Sequence, residues 1–301
     1  MSKTATPRPH VEGPLVWLDM DQQALDDAYD QTFYAPNREQ VRARRAANNA
    51  IALKIIGKPQ RVAYGAAEIE RVDIYKTKRP NAPVMIFLHG GAWRGGTSSQ
   101  AASMAENFIN AGAHFVPVDF NNVIETGGDL FPMVDQVRRA VAWVYRNARS
   151  FGGDPGRLYL TGHSSGGHLG SCAVMTEWHE LGLPRDLLKG ALLGSGMYDL
   201  KAVRLSKRSA YVKFTDAMEQ ALSAQRHIDK IHTPLVITYG SLETPEFQRQ
   251  ARDFHAALTA AGKPAKLLLG EAYNHFETQE TLGSPYGFMG RAALEMMGIS
   301  R

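Results

Sequence analysis

Leu158-Tyr159-Leu160-Thr161-Gly162-His163-Ser164-Ser165-Gly166-Gly167-His168-Leu169 is the stretch on which the reading of this chain turns. Leu158-Tyr159-Leu160 reads as a short buried strand, Gly162-His163-Ser164-Ser165-Gly166 fits G-x-S-x-G, and residues 167–180 read as a helix. A serine on a sharp strand-to-helix turn needs small neighbours on both sides. The backbone folds back there, and a side chain at Gly162 or Gly166 would meet the adjacent strand and helix. The turn lifts the Ser164 hydroxyl above the sheet, beside the positive end of the following helix. Ser164 is therefore the candidate nucleophile, whereas Ser165 and Ser171 read as helix residues whose hydroxyls bond local backbone.

Outward from this turn the chain alternates between strand and helix. Val84-Met85-Ile86-Phe87-Leu88 is a continuous apolar run, as expected of a strand buried on both faces. Helices are predicted at residues 99–111, 133–149 and 247–261, and strands at Phe115-Val116-Pro117-Val118, Ala191-Leu192-Leu193, Leu235-Val236-Ile237 and residues 265–269. Val62 and Tyr64, then Val72 and Ile74, alternate with polar residues as half-buried strands do. Strands alternating with helices of about three turns predict an α/β fold with a mostly parallel central sheet and helices on both faces. Before the sheet, residues 15–50 carry apolar positions at helical spacing interrupted by Ala35-Pro36-Asn37, which predicts two helices joined by a turn. The expected organisation is a single domain over residues 1–301. Residues 1–55 form an N-terminal helical segment and candidate lid, and residues 199–231 a candidate cap insertion.

Three further groups of residues complete a hydrolytic constellation. His89-Gly90-Gly91-Ala92-Trp93 follows the buried strand, where backbone N–H groups can face the oxygen of a tetrahedral intermediate. The expected oxyanion donors are Gly91, Ala92 and the N–H of Ser165. His275, in Ala272-Tyr273-Asn274-His275-Phe276-Glu277, lies a few residues beyond the last strand, where a loop can carry it over the serine as general base. His163, His89 and His168 sit beside the motif turns and read as structural, and no histidine makes a metal-ligand spacing such as H-E-x-x-H. Glu243, in the loop Gly240-Ser241-Leu242-Glu243-Thr244-Pro245-Glu246, is the candidate carboxylate that orients the imidazole. Its rivals are Glu246, which reads as a first-turn helix residue, and Asp199.

Bulk properties narrow the function classes. The 301 residues are 44% apolar, 21% charged and 9% aromatic, ordinary for a globular protein that builds its core without disulfides or metal. A formal charge of +4 with scattered basic residues argues against a nucleic-acid partner, and Arg42, Arg44 and Arg45 read as a solvated helix face. Cys172 is the only cysteine, which fits a reducing compartment. Residues 1–10 are polar without an apolar signal core, and no stretch approaches the roughly 18 apolar residues of a membrane span. The expectation is a cytoplasmic protein with no membrane association, acting as monomer or homodimer on a small ester or amide, with no cofactor and no metal.

At these motifs the sequence resembles the α/β-hydrolase superfamily, and within it the arylformamidase (kynurenine formamidase-like) group with its carboxylesterase and aryl-amidase relatives. The likeness is carried by Leu25-Asp26-Asp27-Ala28-Tyr29-Asp30, His89-Gly90-Gly91-Ala92-Trp93, Gly162-His163-Ser164-Ser165-Gly166-Gly167-His168-Leu169, Tyr198-Asp199-Leu200, Thr244-Pro245-Glu246-Phe247 and Asn274-His275-Phe276. It implies an α/β-hydrolase fold and cleavage of a small ester or an aryl amide or formamide, N-formyl-kynurenine among them, through an acyl-enzyme on Ser164. Glu243 stands where the group usually has aspartate, and Val118-Asp119-Phe120-Asn121-Asn122 departs from its tyrosine-and-proline stretch. Trp93, Phe120, His163, Tyr198, Tyr211 and Phe276 are the candidate pocket residues, each flanking a motif or lying in the candidate cap. The competing reading from another class is a non-catalytic scaffold of this fold that binds a small ligand.

Overall fold

The computed structural model describes residues 13–299; the polar stretch 1–10 lies outside the described residues. Eight strands, β1 (Gln60–Ala63), β2 (Arg71–Ile74), β3 (Ala82–Leu88), β4 (His114–Val118), β5 (Gly153–His163), β6 (Leu188–Gly194), β7 (Leu235–Gly240) and β8 (Ala265–Gly270), form one sheet in the order β1-β2-β4-β3-β5-β6-β7-β8. The six strands from β4 to β8 are parallel, and β2 runs antiparallel to both β4 and β1. The helices are α1 (Gln22–Ala28), α2 (Arg38–Ile56), α3 (Ala102–Asn110), α4 (Phe131–Asn147), α5 (Ser165–Val174), α6 (Leu200–Leu205), α7 (Asp216–Ala221), α8 (Pro245–Ala260), α9 (His275–Glu280) and α10 (Phe288–Met296). None among the described residues is long and apolar enough to cross a membrane.

Every residue of β3 and β4 is buried, which explains their unbroken apolar runs. Side chains alternate across the pleat. Val84, Ile86 and Leu88 pack with α4, α5 and α8 on one face, while Met85 and Phe87 pack with α3 and α10 on the other. Register aligns the carboxyl ends of the central strands, pairing Leu88 with Gly162, Gly162 with Leu193, and Gly240 with Gly270. The strand order reverses between β3 and β5, so their carboxyl ends form the crevice in which sheets of this type bind ligands.

The turn after β5 is as tight as the glycines imply. Ser164 holds φ +60° and ψ −124° between strand and helix, a sparsely populated conformation for a residue with a side chain. Its N–H donates to Gly194 O at 2.9 Å, and its carbonyl accepts from His168 N at 3.1 Å. A Cβ on Gly162 would lie 2.3 Å from Gly166 O, and one on Gly166 would lie 2.1 Å from Leu88 O. Neither obstacle is a movable side-chain tip.

Three elements depart from the sequence reading. The helix expected over 167–180 ends at Val174, where Thr176 Oγ1 bonds back to Cys172 O, and a separate turn, Trp178–Leu181, buries Trp178. Two helices, α9 and α10, follow β8, and Met289 and Ala293 of the last one, with Met297 just beyond it, fill the second core face. The expected loop after β8 is instead a short turn leading into α9, so His275 is a helical residue.

Gly166→Ala is expected to lower the unfolding free energy by about 3 kcal/mol, at the severe end of overpacking. Gly95→Ala, whose Cβ would meet nothing within 4 Å, serves as the control. Urea unfolding of both checks this, and equal midpoints would show that the turn tolerates a side chain.

Candidate active site

Each candidate residue sits just past the carboxyl end of a strand. Ser164 follows β5, His89-Gly90-Gly91-Ala92 follows β3, Glu243 follows β7, and His275 opens α9 after β8. His275 is fixed by a capping box. Asn274 Oδ1 accepts from the N–H groups of Phe276 and Glu277, and Glu277 Oε2 accepts from Asn274 N at 3.1 Å. Asn-x-x-Glu is a readable helix-start signature, and it would have placed His275 on a helix from sequence.

The structure brings serine, histidine and glutamate into one hydrogen-bonded chain. His275 Nε2 lies 2.9 Å from Ser164 Oγ, and His275 Nδ1 lies 2.8 Å from Glu243 Oε2. All three residues are buried. Glu243 Oε1 accepts from Gly240 N at 2.8 Å and from Ser195 Oγ at 2.6 Å, which leaves Oε2 for the imidazole. Gln31 Nε2 approaches Oε2 at 3.5 Å. Ser195 escaped the sequence reading, although Gly194-Ser195-Gly196 directly after a buried strand was a visible signal.

The rival carboxylates are engaged elsewhere. Glu246 is ion-paired with Arg249 at 2.6 Å and accepts from Tyr29 Oη at 2.9 Å. Asp199 caps α6 through Lys201 N and pairs with Arg226 at 2.9 Å.

A second histidine supports the first. His163 Nε2 donates to Thr278 Oγ1 at 2.8 Å, and that hydroxyl donates to His275 O at 2.9 Å, tying α9 to the serine turn. The His163 ring lies 4.6 Å from the His275 ring. Burial first, then the neighbouring His275 and Arg45 charges, hold its pKa well below the usual imidazole value, so it stays neutral. His168 is pushed down to about 4, chiefly by burial. Its Nδ1 accepts from Trp93 Nε1 at 3.2 Å and its Nε2 donates to Leu222 O at 3.0 Å, which binds the β3 loop, α5 and the 199–231 excursion into one knot. His163, Glu243 and His275 also hold the only metal-compatible donor set among the described residues, within 4.8 Å of one another. Two of those donors are already bonded to each other.

Ser164 opens onto a cavity of about 990 Å³, large for small-molecule sites, which run to about 1,000 Å³. Gly90, Gly91 and Ala92 line it, and Gly91, Ala92 and Trp93 carry φ of +122°, +54° and +60°. His163, Tyr211 and Phe276 are lining residues as well. Trp93, Phe120 and Tyr198 are not. Trp93 packs edge-on against His168, Phe120 stacks on His89 at 4.2 Å, and Tyr198 stacks on Phe254 at 4.3 Å while its Oη donates to Leu193 O. Each ring found core to bury in and a polar partner for any polar tip, so its place beside a motif did not put it in the pocket.

The segment expected as a candidate lid supplies one wall of the cavity. Tyr29, Asp30, Gln31, Arg42, Arg45 and Ala46 line the cavity from the N-terminal segment, so the arginines read as a solvated face border the site. Asn37 anchors this wall, its Nδ2 donating to Glu277 Oε1 at 2.7 Å and its Oδ1 accepting from Asn274 Nδ2 at 2.8 Å.

Comparison with known proteins bears on the fold and the family. The family model BD-FAE matches residues 72–288. A kynurenine formamidase of Danio rerio is 27% identical over 94% of this chain and 99% of its own length. Another, of Salmo salar, is 30% identical over 79% of this chain and 82% of its own length. Among solved structures, a Pyrobaculum calidifontis esterase superposes with a TM-score of 0.68 at 18% identity, covering 93% of this chain and 98% of that one. The chain thus belongs to the BD-FAE family and, with it, to the α/β-hydrolases, as an esterase or amidase of the serine-hydrolase type.

Proposed function

We propose that the cavity hydrolyses small carboxylic esters and aryl amides or formamides through an acyl-enzyme on Ser164. The observation that carries this reading is the pair of bonds made by His275, 2.9 Å to Ser164 Oγ and 2.8 Å to Glu243 Oε2. Ser164 Oγ attacks the carbonyl carbon while His275 Nε2 takes its proton, and Glu243 Oε2 stabilises the imidazolium through Nδ1–H. The carbonyl oxygen becomes an oxyanion facing the N–H groups of Gly91, Ala92 and Ser165, each worth about 3 kcal/mol in the transition state. As the intermediate collapses, His275 protonates the leaving oxygen or nitrogen. Water then attacks the acyl carbon as His275 takes its proton, and His275 returns that proton to Ser164 Oγ as the acid is released.

N-formyl-kynurenine as the main substrate, cleaved as an aryl formamide, is the second reading. It is favoured by the two kynurenine formamidase relatives, one of which spans this chain almost end to end. Wild type and Ser164→Ala are compared on short-chain nitrophenyl esters, acetanilides and N-formyl-kynurenine, with fluorophosphonate labelling of both. Wild type is expected to be labelled and active, and Ser164→Ala to lose about 10⁵–10⁶-fold in rate. The best substrate decides between ester and formamide. Absence of label and activity from wild type would return the chain to the ligand-binding scaffold reading.

Within a single domain, the N-terminal helical segment acts as a lid over this cavity and residues 199–231 as its cap. Ala46 of α2 and Ala210 and Tyr211 of the excursion line the cavity from those two sides. Ala46→Trp is expected to cut kcat/KM for octanoyl esters at least tenfold relative to acetyl esters. An unchanged chain-length preference would remove the covering role.

A further inference from the structure

We propose that Arg208, Arg94 and Tyr211 form a carboxylate-binding subsite in the Ser164 cavity, so that the preferred substrates are esters or amides bearing a carboxylate away from the scissile bond. This rests on Ser164 being the nucleophile and specifies what that site accepts.

The cavity wall is rich in cations. Arg42, Arg45, Arg94, Lys207 and Arg208 line it, against one lining carboxylate, Asp30. Asp30 is occupied by Lys207 at 2.6 Å, and Arg42 shares Glu39 at 3.1 Å. Arg208 is different. Only 6% of the residue is exposed, and no carboxylate pairs with it among the described residues. Its Nη1 donates to Tyr211 Oη at 2.9 Å and its Nη2 to Tyr29 O at 3.2 Å, while its buried Nε has no hydrogen-bond partner. The guanidinium carbon lies 5.8 Å from the Tyr29 ring centre and 5.6 Å from that of Trp93.

A buried guanidinium without a counter-anion is costly, and ring faces offset that cost only in part. The missing partner is supplied most economically by a ligand entering the cavity that Arg208 lines. Tyr211 and Arg94 extend the seat. The Tyr211 hydroxyl accepts from Arg208, so its own proton is available to donate, and the Arg94 guanidinium lies 4.3 Å from the centre of the same ring. Arg94 makes no ion pair with a carboxylate among the described residues, and it is an exposed residue of the cavity lining. Two guanidinium groups and a phenol converging on one side of a cavity match a planar carboxylate, which accepts charge-assisted bonds on both oxygens.

Two substrate pairs test the proposal. In 4-nitrophenyl hemiglutarate and its methyl ester the charge sits on the acyl side; in 4-acetoxybenzoate and its methyl ester it sits on the leaving group. Wild type is expected to favour the anionic member of at least one pair by tenfold or more in kcat/KM. Arg94→Gln and Tyr211→Phe, both at positions not fully buried, are each expected to cut that ratio at least fivefold, mainly through KM. Arg208→Gln is expected to abolish it if the variant folds, as judged by its melting transition. Methyl esters cleaved as well as the anions in both pairs, or a preference that survives the Arg94 and Tyr211 substitutions, would overturn the subsite. Failure of the nucleophile assignment looks different: no member of either pair is cleaved, Ser164 takes no fluorophosphonate, and the inference falls with the reading it rests on.

Discussion

One imidazole ring must engage a hydroxyl on one side and a carboxylate on the other, and the rest of the site depends on that double contact. His275 satisfies it with bonds of 2.9 and 2.8 Å. The two partners come from turns that follow β5 and β7, and the ring itself from the first residue of α9, beyond β8. The in-register carboxyl ends of the parallel strands hold these three positions within hydrogen-bond reach of one another. Glu243 stands where the resembled group usually has aspartate, and its longer side chain is held in place. Gly240 N and Ser195 Oγ bond one carboxylate oxygen and leave the other for Nδ1. A carboxylate so held orients the ring.

The same economy governs the serine turn. Ser164 accepts an unfavourable φ because β6 and α5 fix its backbone on both sides. His163, next to it, reaches through Thr278 to the backbone of His275. Ser164 and His275 are thereby coupled through neutral hydrogen bonds in a buried setting, where they are stronger than in water.

Much of this was legible in the sequence, for particular reasons. The apolar run at Val84-Met85-Ile86-Phe87-Leu88 and the G-x-S-x-G turn are local signals whose meaning does not depend on distant contacts, so the α/β class and the place of Ser164 followed from them. The α/β-hydrolase family followed as well, through the resemblance those motifs carry. Glu243 was preferred over Glu246 because Pro245-Glu246 reads as a helix start, and Glu246 indeed lies in the first turn of α8. What was not legible depends on tertiary placement. Trp93, Phe120 and Tyr198 flank motifs yet pack into the core, because a large ring gains more from complete burial than from a cavity wall. Arg42 and Arg45 look solvated along their own helix and border the site only because Asn37 ties α2 to the capping box of α9. Helix α10 is legible from local pattern alone, since Met289, Ala292, Ala293 and Leu294 recur at helical spacing beyond the last strand.

The most direct test of this account is kcat for Glu243→Gln on 4-nitrophenyl acetate, measured beside Glu246→Gln. The amide keeps the size of Glu243 but cannot stabilise the imidazolium, so kcat should fall by roughly 10³–10⁴-fold, while Glu246→Gln stays within about tenfold of wild type. A Glu243→Gln enzyme that retains kcat within about tenfold of wild type would contradict the relay of Ser164, His275 and Glu243 on which the whole description of the site depends.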